Sequence, residues 1–161
     1  PETLFNVFSA GKAPCAAAVL RLVEEGELRL DGTVGSYWGE FAAEGKQACT
    51  VEHVLRHRAG VANALPKWST LDQLLDVDAM ASFVAGERPD SVPGTNEAYH
   101  YFTFGWILAG LVKRVTGESM AQLLESRVTA RLGISEEMLL GLPDEVLDEE
   151  GRLASLEVRL P

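Results

Sequence analysis

With 161 residues, 47% hydrophobic and 24% charged, the chain has the size and balance of one folded domain and not of a disordered segment. Fourteen Lys and Arg against 24 Asp and Glu leave a net charge of −10, which argues against nucleic acid or an anionic membrane as partner, since both need a basic face. No apolar run reaches the ~18 residues of a membrane-spanning helix, and no charged-then-apolar leader opens the sequence. The chain starts at Pro1 and not at Met, so it reads as a processed or truncated product. Two cysteines, Cys15 and Cys49, make neither a disulfide framework nor a metal-ligand spacing, and the compartment stays open.

Taken in chain order, "TLFNVF" (3–8) has the composition of a short strand. In "FNVFSAGKAPCAAAVLRLVEEG" (5–26) a helix is predicted, with Ala16, Val19, Leu20 and Val23 on its apolar face. Cys15 lies on the same side as a small core residue, Glu24 and Glu25 lie outside, and Gly26 stops the helix. Residues 26–41 are rich in Gly and turn formers and read as a loop with at most short turns. "ACTVEHVL" is a candidate strand, while Thr50 is also placed to cap a short helix, "VEHVLRH", that Gly60 ends.

Thr70 and Gln73 stand in capping-box positions, and Asp78 opens a further helix that runs to Gly86. A long turn-rich connection (86–98) leads to the clearest helix, 101–117, where Phe104, Ile107, Leu108, Leu111, Val112 and Val115 form one stripe. Ser119 and Gln122 make the next capping box, followed by Met120, Leu123, Leu124 and Val128 on one face. The acidic stretch near the C-terminus reads as solvated surface, with "LEVRLP" as a last candidate strand. The sum is a mainly α chain: a helix at 9–26, a helical region at 50–133 and a poorly defined segment at 134–161.

Ser9 and Lys12, three apart at a helix start, carry two readings. A hydroxyl is a poor nucleophile until a base removes its proton, and a lysine one turn away can be that base. Ser9 can equally be an N-cap beside a solvated charge. His53 and His57, four apart, have a spacing that can hold zinc, but no HExxH, third ligand or cysteine pair accompanies them. Trp38, Trp68 and Trp106 can line a pocket or fill the core, and the apolar period around Trp106 favours core. "GTVGSYWG" lacks the phosphate-loop pattern.

From Ser9 onward the sequence resembles the class C type of serine β-lactamases and the related esterases and penicillin-binding-protein-like hydrolases. The resemblance runs through the S-x-x-K stretch "SAGK", the block "CTVEHVLRHRAGV", and "PGTNEAYHYFTFGWILAGLVKRVTGES". "GLPDEVLDEEGRLASL" adds a segment similar to the esterase and lactamase-B-like branches. It implies the helical portion of a β-lactamase/transpeptidase-like α+β fold, with few short strands in this chain.

The same resemblance implies roles. Ser9 would be the acylated nucleophile, Lys12 its base, and Tyr99, at the tyrosine of Y-x-N, a phenol sharing proton transfer. Tyr101 stands where that motif has Asn, which is more typical of the esterase-like branch, and Tyr101 and His100 become candidate substrate contacts. The family's third motif, K/H-T/S/A-G, does not follow Tyr99; "HRAG" at 57–60 looks similar but lies between the first two blocks. The implied activity is acyl-enzyme hydrolysis of a small-molecule ester or amide, without metal or organic cofactor. The alternative is a catalytically incomplete structural or interaction subunit whose exposed apolar faces are covered by partner chains.

Overall fold

Helix α1 (Lys12–Glu24) carries Pro14 in its first turn, where the missing N–H leaves no intrahelical bond unmade. This computed structural model describes residues 3–67, 70–147 and 151–155. α1 buries Ala18, Val19 and Leu22, with Cys15 packed beside them. The expected face is thus rotated, and Leu20 is 45% exposed. Consecutive small alanines at 16–18 distinguish neighbouring faces poorly, so the long side chain of Leu22 decides which side turns inward. Gly26 ends the helix in the left-handed region, its N–H donating to the Val23 carbonyl at 3.1 Å.

The predicted loop that follows contains a short helix, α2 (Val34–Tyr37), and 3₁₀ turns across Gly39–Gly45 that break at Ala43 and Glu44. These turns carry Trp38 and Phe41 into the core. Lys46 is fully buried beside them. Its ammonium donates to the carbonyls of Ala43 and Glu87 and faces the Phe41 ring, which fastens this segment to the start of the long connection. Burial pushes the Lys46 pKa down and the Cys49 thiol up to about 12.

"ACTVEHVL" is not a strand. Thr50 makes one isolated antiparallel bridge to Thr33, and α3 (Val51–Leu55) begins at the next residue. "TLFNVF" contributes only Leu4, in an isolated parallel bridge to Leu153, and "LEVRLP" lies outside the described residues. A strand needs a neighbour along its length, and among the described residues none extends beyond these single bridges.

α4 (Leu71–Leu75) starts at the predicted capping box, with Thr70 and Gln73 each satisfying the other's backbone N–H. α5 (Val77–Gly86) is capped by Asp76, whose carboxylate accepts the Ala79 N–H at 2.9 Å. The expected cap, Asp78, lies instead in the first turn, where its charge complements the helix dipole. α6 (Thr103–Thr116) carries the predicted stripe and is the central element of the core: Ile107, Leu108, Leu111 and Val112 have no exposed surface. Each such side chain contributes about 1.5–3 kcal/mol of burial free energy. Trp106 is buried as expected, and Trp38 packs directly on α6 at Gly110. Trp68 lies outside the described residues.

α7 (Met120–Leu124) opens at the predicted Ser119–Gln122 box, widens into a π turn (Glu125–Thr129) and closes through α8 (Ala130–Leu132). The acidic segment holds one short helix, α9 (Asp144–Leu147), with its described residues largely exposed. The described chain is mainly helical, as its sequence implies, and no helix in it is long and apolar enough to cross a membrane.

Candidate active site

Ser9 lies in a 3₁₀ turn (Phe8–Gly11) that runs straight into α1, so Ser9 and Lys12 keep a helical one-turn relation. Lys12 Nζ donates to Ser9 Oγ at 3.1 Å. Ser9 is not an N-cap: Val7 precedes the turn, Gly11 precedes α1, and neither position makes a side-chain cap. Phe8 has φ +46°, a region that an aromatic residue occupies at an energetic cost of roughly 1–3 kcal/mol. The Asn6 carboxamide accepts the Phe8 N–H at 2.9 Å and holds this bend, which leaves Ser9 at the exposed surface.

Tyr99 reaches the pair from the connection between α5 and α6. Lys12 Nζ lies 5.0 Å from the centre of the Tyr99 ring and 6.0 Å from that of Phe104 on α6. Hydrogen bonds from Ser9 and then Lys12, with the Lys12 charge, hold the Tyr99 phenol below its ordinary value. Tyr101 stands edge-on to Tyr99 at 4.7 Å and is 70% exposed, so it shares the surface of the site. His100 does not. It points inward with 1% exposure, its Nδ1 paired with the Ala98 carbonyl at 2.6 Å. Tyr99 and Tyr101 are exposed and His100 between them is buried, so its place is that of a buried anchor and not of a substrate contact.

The two histidines at zinc spacing are separated by the chain itself. α3 ends at Leu55, and His57 adopts φ +56°, so the two rings share no helical face. His53 completes a capping box with Thr50, its Nδ1 accepting the Thr50 N–H at 3.3 Å. His57 Nδ1 accepts the His100 N–H at 3.1 Å, and its ring lies 4.8 Å from Tyr99 and 5.0 Å from Phe104. Among the described residues no group of three His, Cys, Asp or Glu could hold a metal.

Ser9, Lys12 and Tyr99 therefore converge, Tyr101 flanks them, and His100 lies behind. Sequence reasoning overlooks His57 as part of this surroundings. The signal available was "HRAG", whose histidine and glycine meet the connection that bears Tyr99. The arrangement supplies an exposed hydroxyl, an ammonium in contact with it, and an acidified phenol that can take and return a proton.

The family model described as Beta-lactamase matches residues 1–145. Esterase/beta-lactamase LipL from Mycobacterium tuberculosis (strain ATCC 25618 / H37Rv) is 36% identical over 137 residues, which is 85% of this chain and 31% of that protein. Among solved structures, a family VIII carboxylesterase superposes with a TM-score of 0.88 at 34% identity, over 95% of this chain and 41% of that one. A penicillin-binding protein homologue from Caulobacter crescentus gives 0.87 at 35% identity, over 98% of this chain and 41% of that one. The chain thus spans less than half the length of these relatives and corresponds to a helical part of their fold. With the family model covering 1–145 and both the S-x-x-K stretch and Tyr99 inside it, the chain belongs to the beta-lactamase family.

Proposed function

We propose that this chain carries the nucleophile-bearing part of a serine hydrolase that cleaves small-molecule esters through an acyl-enzyme. The observation that carries this reading is the convergence of the Lys12 ammonium and the Tyr99 phenol on Ser9. Ser9 Oγ attacks the ester carbonyl, and the carbonyl electron pair moves onto oxygen as the Oγ–C bond forms. The Ser9 proton passes to the Tyr99–Lys12 pair. Collapse of the intermediate breaks the bond to the alkoxide leaving group, which takes that proton. Water then attacks the acyl carbon, giving one proton to the same pair; the Oγ–C bond breaks, that proton passes to Ser9 Oγ, and the carboxylic acid leaves with serine restored. The Ser9 backbone N–H contributes to stabilising the oxyanion.

Esters are favoured over β-lactams because Tyr101 occupies the place of the Asn carboxamide, removing a group that both donates and accepts near a substrate amide. A neighbour named as a carboxylesterase supports that preference, while the relative named as an esterase/beta-lactamase is compatible with either substrate. The alternative of a catalytically incomplete interaction subunit finds no support in these relatives. The test is labelling of the full-length protein with a fluorophosphonate, followed by mass mapping. Modification at Ser9, absent in Ser9→Ala, is the expected result; an unlabelled Ser9 under conditions that label a control hydrolase refutes the reading.

A further inference from the structure

The segment His57–Gly60 takes no part in the proposed reaction, yet the connection bearing Tyr99 is tied to it repeatedly. Asp90 N–H donates to the Gly60 carbonyl at 2.8 Å, Gly94 N–H to Arg58 at 2.8 Å, and Ala98 N–H to His57 at 3.1 Å. His100 N–H then donates to the His57 imidazole at Nδ1, 3.1 Å away. Gly60, at φ +83°, is required here because a Cβ would run into the Ser91 carbonyl. The bonds to His57 fall on the residues immediately before and after Tyr99, and the His57 ring packs against both the Tyr99 and the Phe104 rings.

We infer that His57 is a positioning residue: through its carbonyl and its Nδ1 it sets the register of residues 98–100, and so where the Tyr99 phenol stands relative to Lys12 and Ser9. The inference deepens the hydrolase reading above and rests on it. Nδ1 accepts an N–H only when unprotonated, so the neutral imidazole carries its proton on Nε2. Its surroundings favour that state. Burial and the Lys12 charge both lower the His57 pKa, Glu97 opposes them, and the buried ring of His100 lies 5.7 Å away. Arg58, in the same segment, is paired with Glu97, and Phe104 adds only an apolar face. The left-handed backbone at His57 is one that Asn also tolerates, which makes a clean comparison available.

The experiment compares His57→Asn, whose Oδ1 replaces the Nδ1 acceptor, with His57→Gly, which keeps the backbone conformation and removes the acceptor. Both lose the ring. In the full-length protein, kcat and KM for p-nitrophenyl acetate are measured beside the Tyr99 phenol titration, read by NMR of ¹³C-tyrosine and assigned with Tyr99→Phe. His57→Gly is expected to lower kcat by about 10–100-fold with a smaller change in KM, and to raise the Tyr99 pKa. His57→Asn should restore both most of the way. Should His57→Gly not fold, His57→Gln, which shifts the acceptor by one methylene, takes its place with the same expectation. A folded Gly or Gln variant with wild-type kcat and Tyr99 titration overturns the inference, as does an Asn variant no better than Gly. The titration does not depend on turnover, so it remains readable even if Ser9→Ala proves as active as wild type and the hydrolase reading itself fails.

Discussion

Lys12 Nζ stands 5.0 Å from the centre of the Tyr99 ring, with the same ammonium 3.1 Å from Ser9 Oγ. A residue at the start of α1 and one at the end of the long connection are thereby placed around one hydroxyl. The chemistry proposed for the site depends on this meeting, and each element that enforces it can be tested.

The acidified phenol makes the rate depend on pH in a definite direction. Hydrogen bonds from Ser9 and Lys12, and the Lys12 charge, stabilise the phenolate, so Tyr99 ionises below its ordinary 10.0. If the phenolate accepts the Ser9 proton, kcat/KM rises with pH and levels off at an inflection below that value. Tyr99→Phe should lose the inflection and about 10²–10⁴-fold in rate. A pH–rate profile of both proteins checks this, and an unchanged profile in Tyr99→Phe refutes it.

One buried and one half-buried imidazole set an acid limit on stability. His57 and His100 both have pKa values lowered from 6.5, chiefly by desolvation. The unfolded chain takes up protons at that pH while the folded chain resists them, so the unfolded state binds more. Stability is therefore full above about 6.5 and declines as pH falls below it. Urea unfolding at pH 7.5 and 5.5 should show the decline, with a shallower slope for His57→Asn.

Gly110 is required by packing and not by backbone conformation. A Cβ there would lie 2.6 Å from the Trp38 ring and 3.0 Å from the Ala81 Cβ. Gly110→Ala improves helix propensity by about 1 kcal/mol, but overpacking of this kind costs about 1–3 kcal/mol. A net loss of stability and a changed Trp38 fluorescence are expected. A stabilised variant would show that the ring moves aside freely.

The Thr50–His53 box fixes the start of α3 just ahead of His57. Thr50 Oγ1 accepts the His53 N–H at 3.1 Å, and Thr50→Ala should cost about 1 kcal/mol in urea unfolding. Zinc added to either protein should leave its unfolding midpoint unchanged, since His53 Nδ1 is occupied in the cap and His57 lies beyond the end of α3 in a left-handed turn. Stabilisation by zinc that His53→Ala abolishes would contradict that assignment.

The sequence by itself determined the elements whose partners are close along the chain. The stripe of α6, the Thr70–Gln73 and Ser119–Gln122 boxes, the stop at Gly26 and the one-turn spacing of Ser9 and Lys12 all follow from local period and capping chemistry. The tertiary structure decided what local rules leave degenerate. Leu20 and Leu22 are equally apolar, and only the packing of α1 chose Leu22. His53 and His57 have a metal-like spacing until the left-handed turn at His57 parts them. His100 is a candidate contact by position until burial sets it behind Tyr99, and the connection that brings Tyr99 to Lys12 is tied down by distant backbone pairs between 57–60 and 90–98. Such long-range contacts arise when the chain closes on itself, and no spacing along the sequence encodes them.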